Sequence, residues 1–397
     1  MPEPFPAAVV PDHPVLSART MASEDLAALP SFLDAGPTTH VISGRMALAL
    51  ALRDLGWPAG TKILVPAYHC TAMIEPVVWA KFEPVFYRVH EDTSVDLDDV
   101  ARKLDENTRA LIAVHYFGFH QDAPALRRFC DERGLVFIED CAHAFFGRLA
   151  GKPVGAYGHV SIASSWKFFP IQEGGCLIRR GHAEISQPGL VYQAKTALNT
   201  LERAWRFGRL PWLRAAFQLP MRLKEALWGR WKRQRAASGA GAVVQEAPRG
   251  SPEFDASWVG KTIPVASRLV LRAAAHSRVV TRRRRLYRRL IAGIEGVPGV
   301  RPLFPTLLDG VVPYVVPLLF DEPEDAFERL KRRGVPIVRF AEFLWEGVDA
   351  SVCPVAVDYS RRVLQFPCHQ ELRVSELNWI VREIRRVLAP AAAVRTA

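Results

Sequence analysis

Two side chains in this sequence combine the type and the setting for chemistry. Asp140 ends an apolar run, VFIED over residues 136–140, so a strand there carries its carboxylate to a C-terminal tip. An acid at such a tip either caps the next helix or faces a ligand, where it can keep a proton on a cationic heterocycle. Lys167 lies among Ala163, Trp166, Phe168 and Phe169. Desolvation in that setting disfavours the ammonium, and an amine held below its usual value of about 10.4 can form an imine with an aldehyde. The alternative is a lysine whose stem lies on apolar neighbours while its head stays in water. A third element precedes both. Ser43 and Gly44 open an Ala/Leu-rich stretch, and the free N–H groups at a helix start can hold a phosphate. A phosphate-holding turn, an acid at a strand tip and an apolar-flanked lysine, in that order, form the set that pyridoxal 5′-phosphate needs. The acid would keep the pyridine nitrogen protonated, and the lysine would hold the aldehyde and carry a proton.

The elements that must position these groups alternate along residues 41–178. β-rich runs at 62–65, 84–88, 110–114, 136–138, 160–163 and 175–178 are separated by helical patterns such as 46–55, 97–104 and 123–133. This alternation predicts a largely parallel sheet covered by helices, with ligands at the C-terminal ends of its strands. Residues 1–34 read as an irregular arm with a short helix near 22–29. Residues 35–189 read as the large α/β domain, 190–251 as a helical insertion followed by a Gly/Ala/Pro/Ser-rich linker at 238–251, and 252–397 as a smaller α+β domain. In that last part a continuous helical pattern runs from 266 to 294 with a dense arginine face. Strands are expected at 314–319 and 336–338, and helices at 324–332 and 374–388.

Composition sets the outer limits. With 397 residues, 49% apolar and 23% charged, the chain can bury a sizeable core, so whole-chain disorder is excluded. No apolar run has the length of about 18 residues that a spanning helix needs. The six cysteines are scattered without a CxxC pair, which fits reduced thiols in a cytoplasm rather than a disulfide framework, and no metal site is read from them. The net charge of +11 is local: residues 190–236 hold 11 Lys/Arg against two acids, along with four of the ten tryptophans. That mixture suits an amphipathic helix on an anionic membrane surface, or an insertion packed on the body with a solvated basic face. Nucleic acid is the weakest of the three readings, because the rest of the chain is close to neutral.

Several motifs together resemble the DegT/StrS-type aminotransferases, fold-type I pyridoxal-phosphate enzymes that mostly aminate nucleotide-linked keto-sugars. The stretches SGRMAL at 43–48, VPAY at 65–68, VHYFG at 114–118 and IEDCAH at 138–143 look like that family's segments. So do Lys167 with EGG at 173–175, and LQFPCH at 364–369. The resemblance implies that Lys167 is the imine-forming lysine and proton shuttle, that Asp140 pairs with the pyridinium nitrogen, and that His143 lies beside the ring's phenolic oxygen. It places Gly44 and Arg45 at the phosphate and ring stacking at the 68–70 turn, where we assign it to His69. His115 and Arg339 fall where the family approaches substrate. The position of the family's phosphate serine is Ile162 here, leaving Ser161, Ser164 or Ser165 for that role, and we carry Ser164 forward. Arg45 replaces a threonine and Phe168 an asparagine. The resemblance implies a homodimer that moves an amino group from an amino acid, most often glutamate, to a keto acceptor. The alternatives are a ketone that is not a sugar, or a non-catalytic, membrane-associated member of the family. A lysine at 167, rather than the histidine of dehydrating members, argues for amino transfer.

Overall fold

The computed structural model describes residues 4–24, 29–179, 181, 184–213 and 254–389. The linker at 238–251, residues 214–236 of the basic segment and residues 25–28 of the expected short helix lie outside the described residues. The flanks of that helix, 22–24 and 29–30, are not helical.

The alternating pattern folds as β1 (Thr38–Val41), α1 (Gly44–Leu55), β2 (Lys62–Pro66), α2 (Thr71–Trp79), β3 (Glu83–Tyr87), α3 (Leu97–Arg102), β4 (Thr108–Val114), α4 (Ala123–Glu132) and β5 (Val136–Cys141). A small hairpin of β6 (Arg148–Leu149) and β7 (Lys152–Pro153) leads to β8 (Val160–Ala163) and β9 (Gly175–Ile178). Seven strands form one sheet in the order β1-β9-β8-β5-β4-β2-β3. Neighbours from β8 to β3 are parallel, whereas β9 runs antiparallel to both β8 and β1. Strands β4, β5 and β8 are buried along nearly their whole length, the burial expected of a sheet covered on both faces. Helix α1 starts where Ser43 Oγ accepts from the Met46 N–H at 3.2 Å, and it ends at Gly56 in the left-handed region.

The glycine pair at 174–175 acts through close approach rather than through a sharp turn. Neither residue has positive φ. A Cβ on Gly175 would stand 2.2 Å from the Ser43 carbonyl carbon and oxygen, and one on Gly174 would stand 2.2 Å from Ser165 Oγ. Only hydrogen at Gly175 lets β9 lie against the start of α1, and only hydrogen at Gly174 lets the chain lie against Ser165 and Trp166.

The second half holds α5 (Leu190–Arg206), α6 (Val265–Ala273), α7 (His276–Ile294), β10 (Val300–Pro302), β11 (Val315–Phe320), α8 (Pro323–Arg332), β12 (Val338–Arg339), α9 (Pro354–Arg362), β13 (Val363–Pro367) and α10 (Val374–Leu388). Its four strands make an antiparallel sheet in the order β10-β11-β13-β12. The helix expected without interruption over 266–294 is broken at Ala274–Ala275, whose backbone is extended. Alanine has no local reason to end a helix. The break is tertiary: the Ala275 N–H donates to the Thr20 carbonyl of the N-terminal arm at 2.9 Å. The arm is irregular but firmly docked. Val9 N–H donates to Gly334 O at 3.0 Å, His369 Nε2 meets Pro11 O at 2.9 Å, and Ser17 Oγ donates to Glu371 at 2.7 Å.

Within the described part of the basic segment, the charge is not all solvated. Arg209 is buried against Glu376 at 2.5 Å, and Arg203 reaches Asp12 at 2.9 Å. The side of α5 turned inward carries Thr196, Thr200 and Ala204, while Leu190, Val191 and Leu198 are exposed.

Candidate active site

Strand alternation sends the two acids of β5 to opposite faces. Glu139 is fully buried, accepting N–H groups from Gly155, Tyr157 and Gly158 at 2.7–2.9 Å and meeting His115 Nε2 at 3.0 Å. Burial pushes its carboxyl up, but these donors win and hold it below the usual range. Asp140 faces the other way, into a cavity of about 360 Å³. Its Oδ1 accepts the Ala142 N–H at 2.8 Å in a local turn, and no helix follows for it to cap, because the next element is the β6–β7 hairpin. Burial raises its pKa, and the Ala142 N–H and the nearby Lys167 charge oppose that rise.

Four separate stretches of chain meet around this cavity. The first turn of α1 contributes Gly44 and Arg45, the start of α2 Cys70 and Met73, β5 Asp140, and the segment after β8 Ser164, Trp166 and Lys167. The initial N–H groups of α1 have no acceptor within the helix. Ser164 is the serine of the three candidates that lines the cavity. Arg45 lines it too, while pairing with Glu75 of α2 at 3.3 Å. Lys167 Nζ lies 5.3 Å from the centroid of the Tyr314 ring. Burial lowers the Lys167 pKa, opposed by the neighbouring Cys70 and Asp140. A donor-rich helix start, a buried acid and an amine pressed towards its neutral form suit a phosphate, a protonated ring nitrogen and an aldehyde, in that order. The residues present fit pyridoxal 5′-phosphate.

Four expected site residues, His69, His115, Arg339 and His143, do not line this cavity. His69 is buried outside the cavity, its Nδ1 meeting Ala67 O at 2.8 Å, its Nε2 accepting from the Trp345 N–H at 3.0 Å and its ring stacked on Phe86. It cannot stack on a ligand there, and Cys70 occupies the corresponding wall. His115 serves Glu139 and accepts the Gln121 N–H at 2.9 Å, on the face of the sheet away from Asp140. Arg339 pairs with Glu324 at 2.7 Å and lies over the Phe327 ring. In each case the neighbouring secondary structure, not the motif, decides where the side chain points. His143 is buried between the rings of Phe117 and Tyr314, and burial, then the Lys167 charge, lower its pKa.

The sequence reading missed Arg283. Its side chain is 0% exposed and donates to Lys167 O at 2.7 Å, Tyr314 O at 2.8 Å, Gln370 Oε1 at 3.1 Å and Pro313 O at 3.2 Å. Gln370 in turn donates to Phe168 O at 2.7 Å. Together they clamp the backbone that carries Lys167. A signal was available: Arg283 shares the helical spacing of the buried Val279, Val280, Leu286, Tyr287 and Leu290, so it belongs to the inner face of α7.

A sequence profile of the DegT/DnrJ/EryC1/StrS aminotransferase family matches residues 26–187. GDP-perosamine synthase of Vibrio cholerae is 38% identical over 150 residues, covering 37% of this chain and 41% of that protein. The chain thus matches about two fifths of that relative's length. The dTDP-3-amino-3,4,6-trideoxy-alpha-D-glucose transaminase of Streptomyces venezuelae is 30% identical over 259 residues, or 61% of this chain and 67% of that protein. Among solved structures, Helicobacter pylori PseC, an aminotransferase involved in the biosynthesis of pseudoaminic acid, shares the fold with a TM-score of 0.65 at 15% identity, over 97% of this chain and 99% of that one. The fold is therefore the fold-type I α/β arrangement, and identity that extends over two thirds of a transaminase goes beyond likeness of fold: this chain belongs to the DegT/DnrJ/EryC1/StrS aminotransferase family.

Proposed function

We propose that this chain is a pyridoxal 5′-phosphate-dependent aminotransferase that moves an amino group from an amino acid, glutamate first among them, to a keto group on a nucleotide-linked sugar. The observation that carries this reading is the meeting of Gly44, Asp140, Ser164 and Lys167 at one cavity. The names of the sugar-modifying relatives support the acceptor class. The first turn of α1, with Arg45 and Ser164, would hold the phosphate. Asp140 would keep a proton on the ring nitrogen, and His143 would stand beside the phenolic oxygen. When bound, the cofactor supplies an electron sink for charge developing at the substrate carbon. Lys167 would anchor the aldehyde through its amine, then take a proton from one carbon and return it at another. Residues 35–189 would form the cofactor-binding unit, residues 252–397 a smaller unit closing on it, and two copies a homodimer. All six cysteines are unpaired, which supports a cytoplasmic setting.

The test is a two-stage assay. Protein loaded with pyridoxal 5′-phosphate should change its visible spectrum on adding glutamate, and a nucleotide-linked keto-sugar should then restore it. Changed substrate-side motifs make a ketone that is not a sugar the competing acceptor. Equal kcat/KM for a small keto acid and every keto-sugar tried would overturn the sugar assignment.

Among the described residues no helix is long and apolar enough to cross a membrane. Leu190, Val191, Leu198 and Trp212 are 51–85% exposed beside Lys195 and Arg206, which supports the proposal that this segment touches an anionic membrane surface. Co-sedimentation should be stronger with anionic than with neutral vesicles, and equal recovery with both would remove the membrane reading.

A further inference from the structure

The N-terminal arm places an acid–imidazole pair against the aromatic surroundings of Lys167. His13 Nδ1 is 3.0 Å from Asp12 Oδ2, and His13 Nε2 is 3.1 Å from the Tyr314 hydroxyl. The ring of His13 also lies 4.6 Å from that of Trp166, which lines the cavity next to Lys167. Tyr314 presents its ring to Lys167 Nζ at 5.3 Å and stacks on His143 at 5.0 Å. Asp12 is held from its other side by Arg203 of α5 at 2.9 Å. Leu16 packs beside the buried Ala204, Leu210 and Leu213, so the arm is fixed on both flanks of the pair.

We propose that Asp12 and His13 are positioning residues for Lys167, acting through the Tyr314 hydroxyl and ring. The proposal rests on Lys167 being the reactive amine. The hydrogen-bond logic is directional. A carboxylate only accepts, so the proton of neutral His13 sits on Nδ1 facing Asp12, and bare Nε2 accepts from the Tyr314 O–H. A phenol donating to an imidazole backed by a carboxylate gathers negative charge. The face of such a ring attracts an ammonium more strongly, which opposes the desolvation that drives Lys167 towards its neutral form. Once His13 is protonated, both ring nitrogens donate, the Tyr314 oxygen must accept, and the effect reverses. Among the described residues, the charged and titratable groups around His13 include Asp12 on the arm, Arg203 on α5, Tyr314 before β11 and His369 after β13, with Lys331 of α8 beyond Asp12, while Arg283 of α7 and Cys368 after β13 face Tyr314. Nothing in the motifs pointed here, because Tyr314 is 301 residues from His13 in sequence.

Two variants remove the same hydrogen bond while keeping a ring in each place: His13→Phe and Tyr314→Phe. The reading is the rate at which cofactor-free protein develops a visible band with added pyridoxal 5′-phosphate, followed against pH. In that step the neutral Lys167 amine adds to the aldehyde carbon and water leaves as the C=N bond forms. Each single variant should lower the midpoint by about half a pH unit, and the double variant should lower it no further. Unchanged midpoints in the folded single variants, or a double shift equal to the two single shifts combined, would overturn the proposal. A purely structural arm would change melting temperature without moving this midpoint. The second reading needs no cofactor. In nitrogen NMR spectra of cofactor-free protein, His13 Nε2 should carry the signature of an unprotonated ring nitrogen that accepts a hydrogen bond, and Tyr314→Phe should remove it. If the wild-type protein forms no band, the cofactor reading fails, and these spectra alone decide the relay. Loss of the signature in Tyr314→Phe upholds the Asp12–His13–Tyr314 chain, and an Nε2 signal unchanged in Tyr314→Phe rejects it.

Discussion

Lys167→Ala should lose the visible band that the wild-type protein develops with pyridoxal 5′-phosphate, and its amino-transfer rate should fall by about 10⁴-fold, the upper range of a positioned acid–base group. The size follows from the two roles proposed for one atom, the Nζ amine, which would both anchor the aldehyde and move the proton. Its surroundings favour those roles. Burial lowers its pKa from the ordinary 10.5, with Cys70 and Asp140 opposing. A lysine whose charged form is disfavoured in the folded state gains neutral amine as pH rises, at lower pH than a free lysine does. The wild-type rate of band formation should therefore reach its midpoint below 10.5. The alanine variant should stay folded, with stability changed by no more than about 1 kcal/mol, because the carbonyl of residue 167 is still held by Arg283. Absorbance spectra and single-turnover kinetics with glutamate check both parts. A variant that kept the band at normal intensity would mean that another lysine anchors the aldehyde.

Arg283→Met should lower the free energy of unfolding by about 3–5 kcal/mol, read from urea denaturation. The guanidinium has no carboxylate partner among the described residues, and burial pushes its pKa down to about 10. It is instead held by three carbonyls and the Gln370 amide oxygen, with the Phe168 ring 4.4 Å away. Methionine fills the volume but leaves those acceptors buried without donors, which is the costly half of breaking such a cluster. Arg283→Lys should recover little, since one ammonium cannot serve the spread of a planar fork. Because one of the acceptors is Lys167 O, band formation with pyridoxal 5′-phosphate should also slow in folded Arg283→Met protein. A loss below about 1 kcal/mol would show that water or repacking satisfies the carbonyls.

Much of the first half was legible because a parallel sheet writes itself locally. The runs at 160–163 and 175–178 have the same bounds as β8 and β9, and the amphipathic pattern at 374–388 has the bounds of α10. Period 2 or 3.6, with Gly or Ser punctuation, is a property of neighbouring residues, so one strand or helix at a time can be read from it. The same holds for Asp140 and Lys167, whose apolar flanks advertise desolvation. β10 was missed because it has only three residues, and β13 because its pairing with β11 and β12, not its pattern, makes it a strand.

What the sequence by itself determined is therefore the alternating α/β plan and the acid, lysine and helix start that the plan brings to one cavity. The tertiary structure alone decided which motif neighbours reach the cavity. His69 and His115 sit in or beside motif stretches and Arg339 where the family approaches substrate, yet each is taken up by other partners, Trp345, Glu139 and Glu324. Ala274 and Ala275 interrupt a good helical sequence because the arm needs an N–H there. Arg283 belongs to a run of four arginines that composition reads as solvated, and only packing against Lys167, Tyr314 and Gln370 makes it the one fully buried. Each of these outcomes depends on contacts between different elements, 15 to 276 residues apart in the chain, and such contacts leave no period behind for a local pattern to reveal.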